Sequence, residues 1–168
     1  PSYKYGSISE TLFMTSRDGV HFRRWGEAFV RPGPRTERWI YAGSFPTYGL
    51  LVTKPNTTGM PNELSLYVND GGGWSSRGKA TRFRRYTLRI DGFVSLQAPL
   101  AGGEVVTKPF TMRGKELTLN LATSAAGSIQ VEIQTSEAKP IDGFALTDCQ
   151  EIFGDEIERV VKWKSGSD

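Results

Sequence analysis

Asp-Gly dipeptides occur three times in this chain, at Asp18, Asp91 and Asp142, and each lies between short apolar stretches. Glycine adopts the positive φ that tight hairpin turns require, and an aspartate before it hydrogen-bonds to the backbone of the turn. Because such turns reverse the chain at close intervals, the segments between them are short. The sequence therefore favours a fold built from antiparallel hairpins.

The stretches between these turns alternate apolar and polar residues, with the period of a half-buried strand. The one stretch with helical charge density, Asp148–Arg159, contains Gly154 and lacks an apolar stripe of helical spacing. Many short strands without a helix predict an all-β sandwich or barrel. Strands are predicted within the hairpin Thr11–Trp25, and at Trp39–Gly43, Tyr48–Thr53, Glu63–Asn69, Tyr86–Ile90, Phe93–Leu96, Val105–Phe110, Leu117–Leu121, Ser128–Gln134 and Ile157–Trp163.

The segment Arg85–Phe110 joins two β-rich halves of the chain. Asp91 and Gly92 end one alternating run, and Pro99 with Gly102-Gly103 interrupts the chain again before the next predicted strand. We therefore predict two regions, 1–90 and 91–168, with one continuous domain 1–168 as the alternative. The length of 168 residues fits both, since domains usually contain ~100–200 residues.

The chain has a single cysteine, Cys149, and a single histidine, His21. An internal disulfide, a cysteine-based zinc cluster and a His-His metal pair are therefore excluded. We expect Cys149 to be a buried, inert thiol and His21 to be a surface residue beside the first Asp-Gly turn. The sequence thus predicts no metal site and no cofactor.

Hydrophobic residues make up 38% of the chain, and no apolar run approaches the ~20 residues of a membrane-spanning helix. We therefore expect a soluble protein that does not interact with a membrane. No basic, apolar, small-residue signal pattern precedes the first strand, so the sequence assigns no cellular location.

A basic strip between Arg77 and Arg89 precedes the boundary between the two regions. It accounts for much of the net charge of +3. Arginines interleaved with Phe83 and Tyr86 could follow a phosphate backbone while the aromatic rings stack on bases. The alternative is a strand whose arginines face water or pair with carboxylates, which we favour because no nucleic-acid motif accompanies the strip. The residues of the nucleic-acid hypothesis are Arg82, Arg84, Arg85 and Arg89.

The second half resembles the C-terminal β-sandwich of bacterial glycoside-hydrolase-like proteins in which a five-bladed β-propeller precedes the sandwich. The residues that carry the resemblance are Leu88–Leu96, Gly103–Phe110, Gly127–Ile133, Gly143-Phe144, Asp148-Cys149 and Trp163. Upstream, Ser16–Phe22 resembles the outer hairpin of a propeller blade, and Glu63–Tyr67 resembles the strand that follows it.

This resemblance implies a finer architecture than the strand pattern does. It implies that 91–168 is an antiparallel, jelly-roll-like β-sandwich and that 1–90 is a blade-like set of hairpins packed against it. It also implies a link to carbohydrates. The catalytic carboxylates of such enzymes come from several blades, whereas this chain has residues for about one, so the resemblance implies no complete catalytic centre here.

Aromatic residues concentrated in the first half are the candidates for a sugar-binding face, since aromatic rings cover the C–H surfaces of sugars. The alternative is that they form the core of the first half. A glycosidase needs two carboxyl groups ~5–9.5 Å apart across the scissile bond, and Glu37, which precedes Trp39 and Tyr41, is the catalytic candidate. The alternative is that Glu37 is an exposed loop residue paired with Arg38. The carbohydrate-binding candidates are Trp39, Tyr41, Tyr48, Tyr67 and Trp74, with the carboxylates Glu63 and Asp70 beside Tyr67.

These observations favour a glycan-binding module, or a glycoside-hydrolase-like fragment without its own catalytic centre, whose partner is an oligosaccharide or polysaccharide. Two alternatives stay open. One is a nucleic-acid-binding protein that uses the basic strip. The other is an interaction protein, including a homo-oligomer, that pairs through an open sheet edge.

Overall fold

The computed structural model describes residues 9–34, 44–70 and 82–164. The described residues form strands, turns and extended segments without a helix, and every strand pair is antiparallel, so the all-β prediction is confirmed. No described segment forms a helix long and apolar enough to span a bilayer. The chain divides into two compact units, Pro1–Ile90 and Asp91–Asp168.

The first unit begins with a hairpin of β1 (Thr11–Ser16) and β2 (Phe22–Val30). The Asp18-Gly19 turn predicted from the sequence connects them, with Gly19 at φ 75°. Oδ1 of Asp18 accepts hydrogen bonds from the backbone N–H groups of Val20 and His21 at 2.9 and 2.8 Å. This carboxylate therefore takes up the donors that the turn leaves unpaired.

A four-stranded sheet completes the described part of the first unit. It consists of β3 (Phe45–Pro46), β4 (Leu51–Thr53), β5 (Glu63–Asp70) and β6 (Arg82–Arg89). β5 is central: β6 pairs along its whole length on one side, and the two short strands β3 and β4 pair with its two ends on the other. Val68 and Ser65 of β5 are fully buried, which makes β5 the best-packed strand of this sheet.

The second unit is organised around β7 (Thr118–Ala122) and β8 (Asp155–Val160), which pair with a register shift between Leu119 and Leu121. Its core is a cluster of five buried residues, and further apolar residues that are partly buried pack against it. The indole N–H of Trp163 donates to the carbonyl of Val131 at 3.0 Å, so the one polar group of this ring is satisfied. The core residues are Leu121, Cys149, Ile152, Val161 and Trp163.

Ser128–Gln134 differs from its predicted form. Ile129, Val131 and Ile133 pack on the core as the alternation predicted. The prediction of a ladder strand is wrong, because the segment meets its neighbours at single bridges, Ile129 with Ile152 and Gln134 with Pro140. Alternation identifies the buried side of a segment, whereas a ladder also needs an extended partner of matching length.

Two further strand predictions are wrong, and a third, Tyr48–Thr53, is confirmed only over Leu51–Thr53. Phe93–Leu96 forms turns and irregular structure, Val105–Phe110 is unpaired, and Tyr48–Leu50 precedes β4 without joining it. At the second Asp-Gly dipeptide the positive φ, 55°, belongs to Asp91. Aspartate tolerates this conformation, and the dipeptide ends β6 without starting a second strand there. The expectation of a buried Cys149 is confirmed.

Replacing Ile152 tests the core of the second unit. Ile152 is 2% exposed and its neighbour Phe153 is 67% exposed. We expect Ile152→Ala to lower the free energy of unfolding by about 2–5 kcal/mol, because it leaves a cavity in the core. The matched variant Phe153→Ala should change it by less than ~0.5 kcal/mol, as surface substitutions usually do. Urea unfolding followed by circular dichroism measures both, and equal losses would contradict this core assignment.

Candidate functional site

One face of the four-stranded sheet carries the charged and hydroxyl side chains of the candidate site. Directly paired residues of antiparallel strands point to the same face, and successive residues alternate between faces. The register pairs Thr53 with Glu63 and Tyr67 with Arg85, and Ser65 shares their side of β5. We call the surface formed by Thr53, Glu63, Ser65, Tyr67 and Arg85 the polar face.

Arg85 connects the three strands of the polar face. Its Nε–H donates to Oγ of Ser65 at 2.7 Å, and Nη2 donates to Oγ1 of Thr53 at 3.0 Å and to Oε1 of Glu63. The hydroxyls of Thr53 and Ser65 also hydrogen-bond to each other at 2.7 Å. A planar guanidinium can make several such bonds at once because its donors point in fixed directions.

This network is shielded from solvent without being closed to it. Ser65 is fully buried, whereas the side chains of Arg85 and Glu63 are 29% and 21% exposed. A buried hydroxyl needs a partner, and a hydrogen bond to a charged group contributes about 1.5–3 kcal/mol. The network therefore fixes the Arg85 and Glu63 side chains while leaving part of each at the surface.

The polar face retains unused hydrogen-bonding groups. Within the residues that the structure describes, Arg85 donates through Nε and Nη2 and not through Nη1. Glu63 accepts through Oε1, and its Oε2 has no partner among the same residues. The Tyr67 hydroxyl likewise has none there, and this side chain is 38% exposed. A donor, an acceptor and an aromatic ring are thus available together on one face.

The sequence-predicted site residues are only partly brought together. Tyr67 and Glu63 lie on the polar face, whereas Asp70 pairs with Arg82 at the end of β5. Tyr48 is fully exposed in the loop before β4. Glu37, Trp39, Tyr41 and Trp74 lie outside the described residues.

Three residues of the polar face were not predicted as members of a sugar site. The sequence places Arg85 in the basic strip, and it does not single out Thr53 or Ser65. Alternation along β5 places Ser65 between Glu63 and Tyr67 on the side opposite Leu64 and Leu66, so that part of the signal is present in the sequence. Thr53 of β4 and Arg85 of β6 join this face only because their strands pair with β5, and alternation along a single strand does not predict that pairing.

The register divides the basic strip between the two faces of the sheet. Arg82 and Arg84 share one side of β6, and Arg85 and Arg89 share the other. Arg85 also pairs with Glu63, as the paired-carboxylate alternative expected for the strip. Four arginines that are close in sequence therefore do not form one continuous cationic surface, which an electrostatic track for a phosphate backbone would need.

A second polar cluster lies at the tip of the β1–β2 hairpin. Nδ1 of His21 is 2.6 Å from Oδ2 of Asp18, and the Ser16 hydroxyl donates to Oδ1 of Asp18 at 2.9 Å. The His21 side chain, together with three backbone and side-chain donors around it, holds the pKa of Asp18 well below its usual range. The groove at this tip has a volume of about 580 Å³ and is lined by Thr15, Ser16, Arg17, Asp18, His21, Arg23 and Trp25.

The geometry of this cluster is that of a turn. In a serine triad the hydroxyl bonds to the imidazole, whereas here Ser16 bonds to the carboxylate. The His21 side chain is 87% exposed, so nothing shields a reaction at its ring from water. The Trp25 ring is engaged by the Arg23 guanidinium, 4.7 Å from its centroid, and by the Phe13 ring. We therefore assign Asp18 to stabilising the hairpin tip.

The described ranges contain no group of three or more His, Cys, Asp or Glu residues placed to hold a metal ion. Comparison with protein-family models, with curated proteins and with solved structures finds no match for this chain.

The pKa of Asp18 provides a test of the hairpin tip. The largest cause that lowers it is the His21 side chain, so His21→Ala should raise the pKa of Asp18 towards its ordinary value of ~3.9. Carboxyl-carbon NMR titration measures this rise. Because the pKa is depressed in the folded state, the interaction stabilises the fold above the unfolded-state pKa and is lost as the pH falls. Ser16→Ala, which removes a smaller cause, should raise the pKa less, and identical wild-type and His21→Ala titrations would refute the assignment.

Proposed function

We propose that this chain is a glycan-binding module whose ligand meets the polar face. The observation that carries the proposal is the combination of the Tyr67 ring with two polar groups, Nη1 of Arg85 and Oε2 of Glu63, that no described residue engages. Sugars present C–H surfaces to aromatic rings and hydroxyls to fixed donors and acceptors. The polar face offers all three features on adjacent strands.

Preorganisation supports this proposal. The Arg85 side chain is held by Ser65, Thr53 and Glu63 before any ligand arrives. Immobilising a side chain on binding costs about 0.5–1.5 kcal/mol, and this cost is already met when the sheet folds. A weakly interacting ligand such as a sugar benefits from groups that are ordered in advance.

Binding accounts for the polar face better than hydrolysis does. Hydrolysis by the usual mechanism needs two carboxyl groups ~5–9.5 Å apart. Among the residues that define the polar face, Glu63 is the one carboxylate, and Oε1 of this residue is paired with Arg85. The proposal includes the finer architecture that the sequence resemblance implied, with a blade-like first unit and a jelly-roll-like sandwich in the second.

Replacing Tyr67 tests the proposed function. We expect wild-type protein to be retarded in native gels by at least one polysaccharide from a panel of plant, algal and bacterial glycans. Tyr67→Ala should weaken this binding about tenfold or more, as loss of a central aromatic contact usually does. Tyr67→Phe, which keeps the ring, should retain most of the affinity.

The matched control for Tyr67→Ala is Phe153→Ala, which removes an exposed ring from the second unit and should leave binding unchanged. If wild-type protein binds none of the panel, or if both alanine variants weaken binding equally, the proposed function is wrong.

A specific observation in the second unit favours self-association as a second candidate function. Residues 94–116 contain no strand, and their one hydrogen bond among described residues joins Gly102 N–H to the carbonyl of Pro99 at 2.9 Å. Unstructured loops longer than ~12–15 residues are uncommon within compact domains. In an extended chain Val106, Lys108, Phe110 and Met112 share one face, and its three apolar residues are 71%, 66% and 45% exposed. We propose that a second copy of this chain covers that face by antiparallel pairing.

Self-pairing about Pro109 would place Val106 opposite Met112 and Thr107 opposite Thr111 in both directions, as a two-fold axis requires. We expect light scattering after size exclusion to give the mass of a dimer for wild-type protein. Phe110→Lys should give a monomer, because residue 110 lies opposite Lys108 of the other copy in this register, and like charges directly opposite each other are destabilising. Leu100→Lys, at an exposed residue outside the paired segment, should remain a dimer. A wild-type monomer at all concentrations would exclude this candidate.

A further inference from the structure

We infer that the polar face selects neutral glycans by hydrogen-bonding to two adjacent sugar hydroxyls, and that Glu63 determines this selectivity. The inference rests on the proposed function and extends it to the class of ligand. It depends on which atoms of the Arg85 guanidinium and of the Glu63 carboxylate are already hydrogen-bonded within the sheet.

The Arg85 network fixes the direction of the unused donor. Nε and Nη2 lie on one edge of the guanidinium, and both are bound to residues of the sheet. Because the group is planar, fixing these two atoms also fixes the N–H bonds of Nη1. Nη1 is therefore a donor whose direction is set before a ligand binds.

The Glu63 carboxylate is fixed in the same way. Oε1 accepts from Nη2 of Arg85, which leaves Oε2 as an acceptor on the adjoining planar group. A single link, Nη2 to Oε1, thus joins two groups, one with a donor and one with an acceptor that no residue of the described ranges engages. Two neighbouring sugar hydroxyls match this pair, since one can accept from Nη1 while the other donates to Oε2.

The charge of the same pair disfavours acidic sugars. Glu63 compensates the charge of Arg85 through a direct ion pair. A ligand carboxylate placed at Nη1 would lie close to the Glu63 carboxylate, and like charges at such distances repel. Arg89, opposite Glu63 in the register, adds a positive charge to this side of the sheet but makes an interaction of its own. Glu63 is therefore the group that keeps the polar face from accepting anionic glycans.

Glu63→Gln separates the charge of this residue from its shape. Glutamine keeps a carbonyl oxygen that can accept from Nη2 of Arg85, but it removes the negative charge and replaces the free acceptor with an amide donor. The variant should therefore lose neutral-sugar binding and gain binding to carboxylated sugars. Glu63→Asp is the matched variant that keeps the charge and should not gain binding to acidic glycans.

The experiment measures native-gel retardation at physiological salt in neutral polysaccharides (galactomannan, mixed-linkage glucan and dextran) and in acidic ones (polygalacturonate and alginate). We expect wild-type protein to be retarded by at least one neutral polysaccharide and by neither acidic one. Glu63→Gln should lose about tenfold in affinity for the neutral polysaccharide, as expected for removal of a hydrogen bond to a charged group. It should gain retardation in polygalacturonate that falls as salt is raised.

The outcomes distinguish this inference from the proposed function. Wild-type binding to an acidic polysaccharide, lost in Tyr67→Ala, would overturn the selectivity while keeping the polar face as a glycan site. Unchanged selectivity in a folded Glu63→Gln variant would also overturn it. If Glu63→Gln does not fold, wild-type protein is tested against an O-methylated form of the neutral polysaccharide that it binds: methylation removes the hydroxyl that would donate to Oε2, and retained binding would refute hydrogen bonding to two sugar hydroxyls. Absence of all glycan binding by wild-type protein would remove both proposals.

Discussion

The sheet of the first unit depends on the guanidinium of Arg85. This side chain starts on β6, passes β5 at Ser65 and reaches Thr53 of β4, so a single residue connects three strands. β4 has only three residues, and strands this short gain little from their own ladder. The buried Ser65 hydroxyl requires a partner, and Arg85 and Thr53 provide it. Without Arg85 that hydroxyl would lose a charged donor and Glu63 would lose its counter-ion.

The two faces of β5 explain how a small sheet holds both buried residues and the candidate site. Val68 is fully buried on one face, while Glu63 and Tyr67 point to the other. A strand has a side-chain period of two, so a single strand can present apolar residues to the interior and polar residues to a ligand. The same register that buries Val68 therefore positions the polar face, and a shift of one residue would exchange the two.

The sequence predicts the local features of this structure and not the pairing between distant segments. The Asp18-Gly19 hairpin, the absence of a helix from the described residues and the inward side of Ile129 and Ile133 depend on neighbouring residues, and all three were predicted. The bond between Arg85 and Thr53 joins residues 32 positions apart, so it depends on which strands become neighbours. The arginines of β6 form one strip in sequence, and pairing then separates them onto two faces. The density of arginines in the sequence therefore indicated that β6 carries charged side chains, but it did not show which of them face the candidate site.

In the proposed glycan-binding module, stability and binding would depend on the same groups of the polar face. Replacing a buried ion pair with well-packed apolar residues is often neutral or stabilising, so an ion pair such as Arg85–Glu63 is weak evidence for a purely stabilising role. Its retention is explained if Nη1 and Oε2 have a use at the surface that apolar side chains could not provide. The restriction of Arg85, whose side chain carries about 2 kcal/mol of rotamer entropy, is then completed on folding and is absent from the binding step. A preorganised donor beside a preorganised acceptor is what a hydroxyl-rich ligand requires, because its own hydrogen bonds with water are nearly as strong as those it would form with the protein.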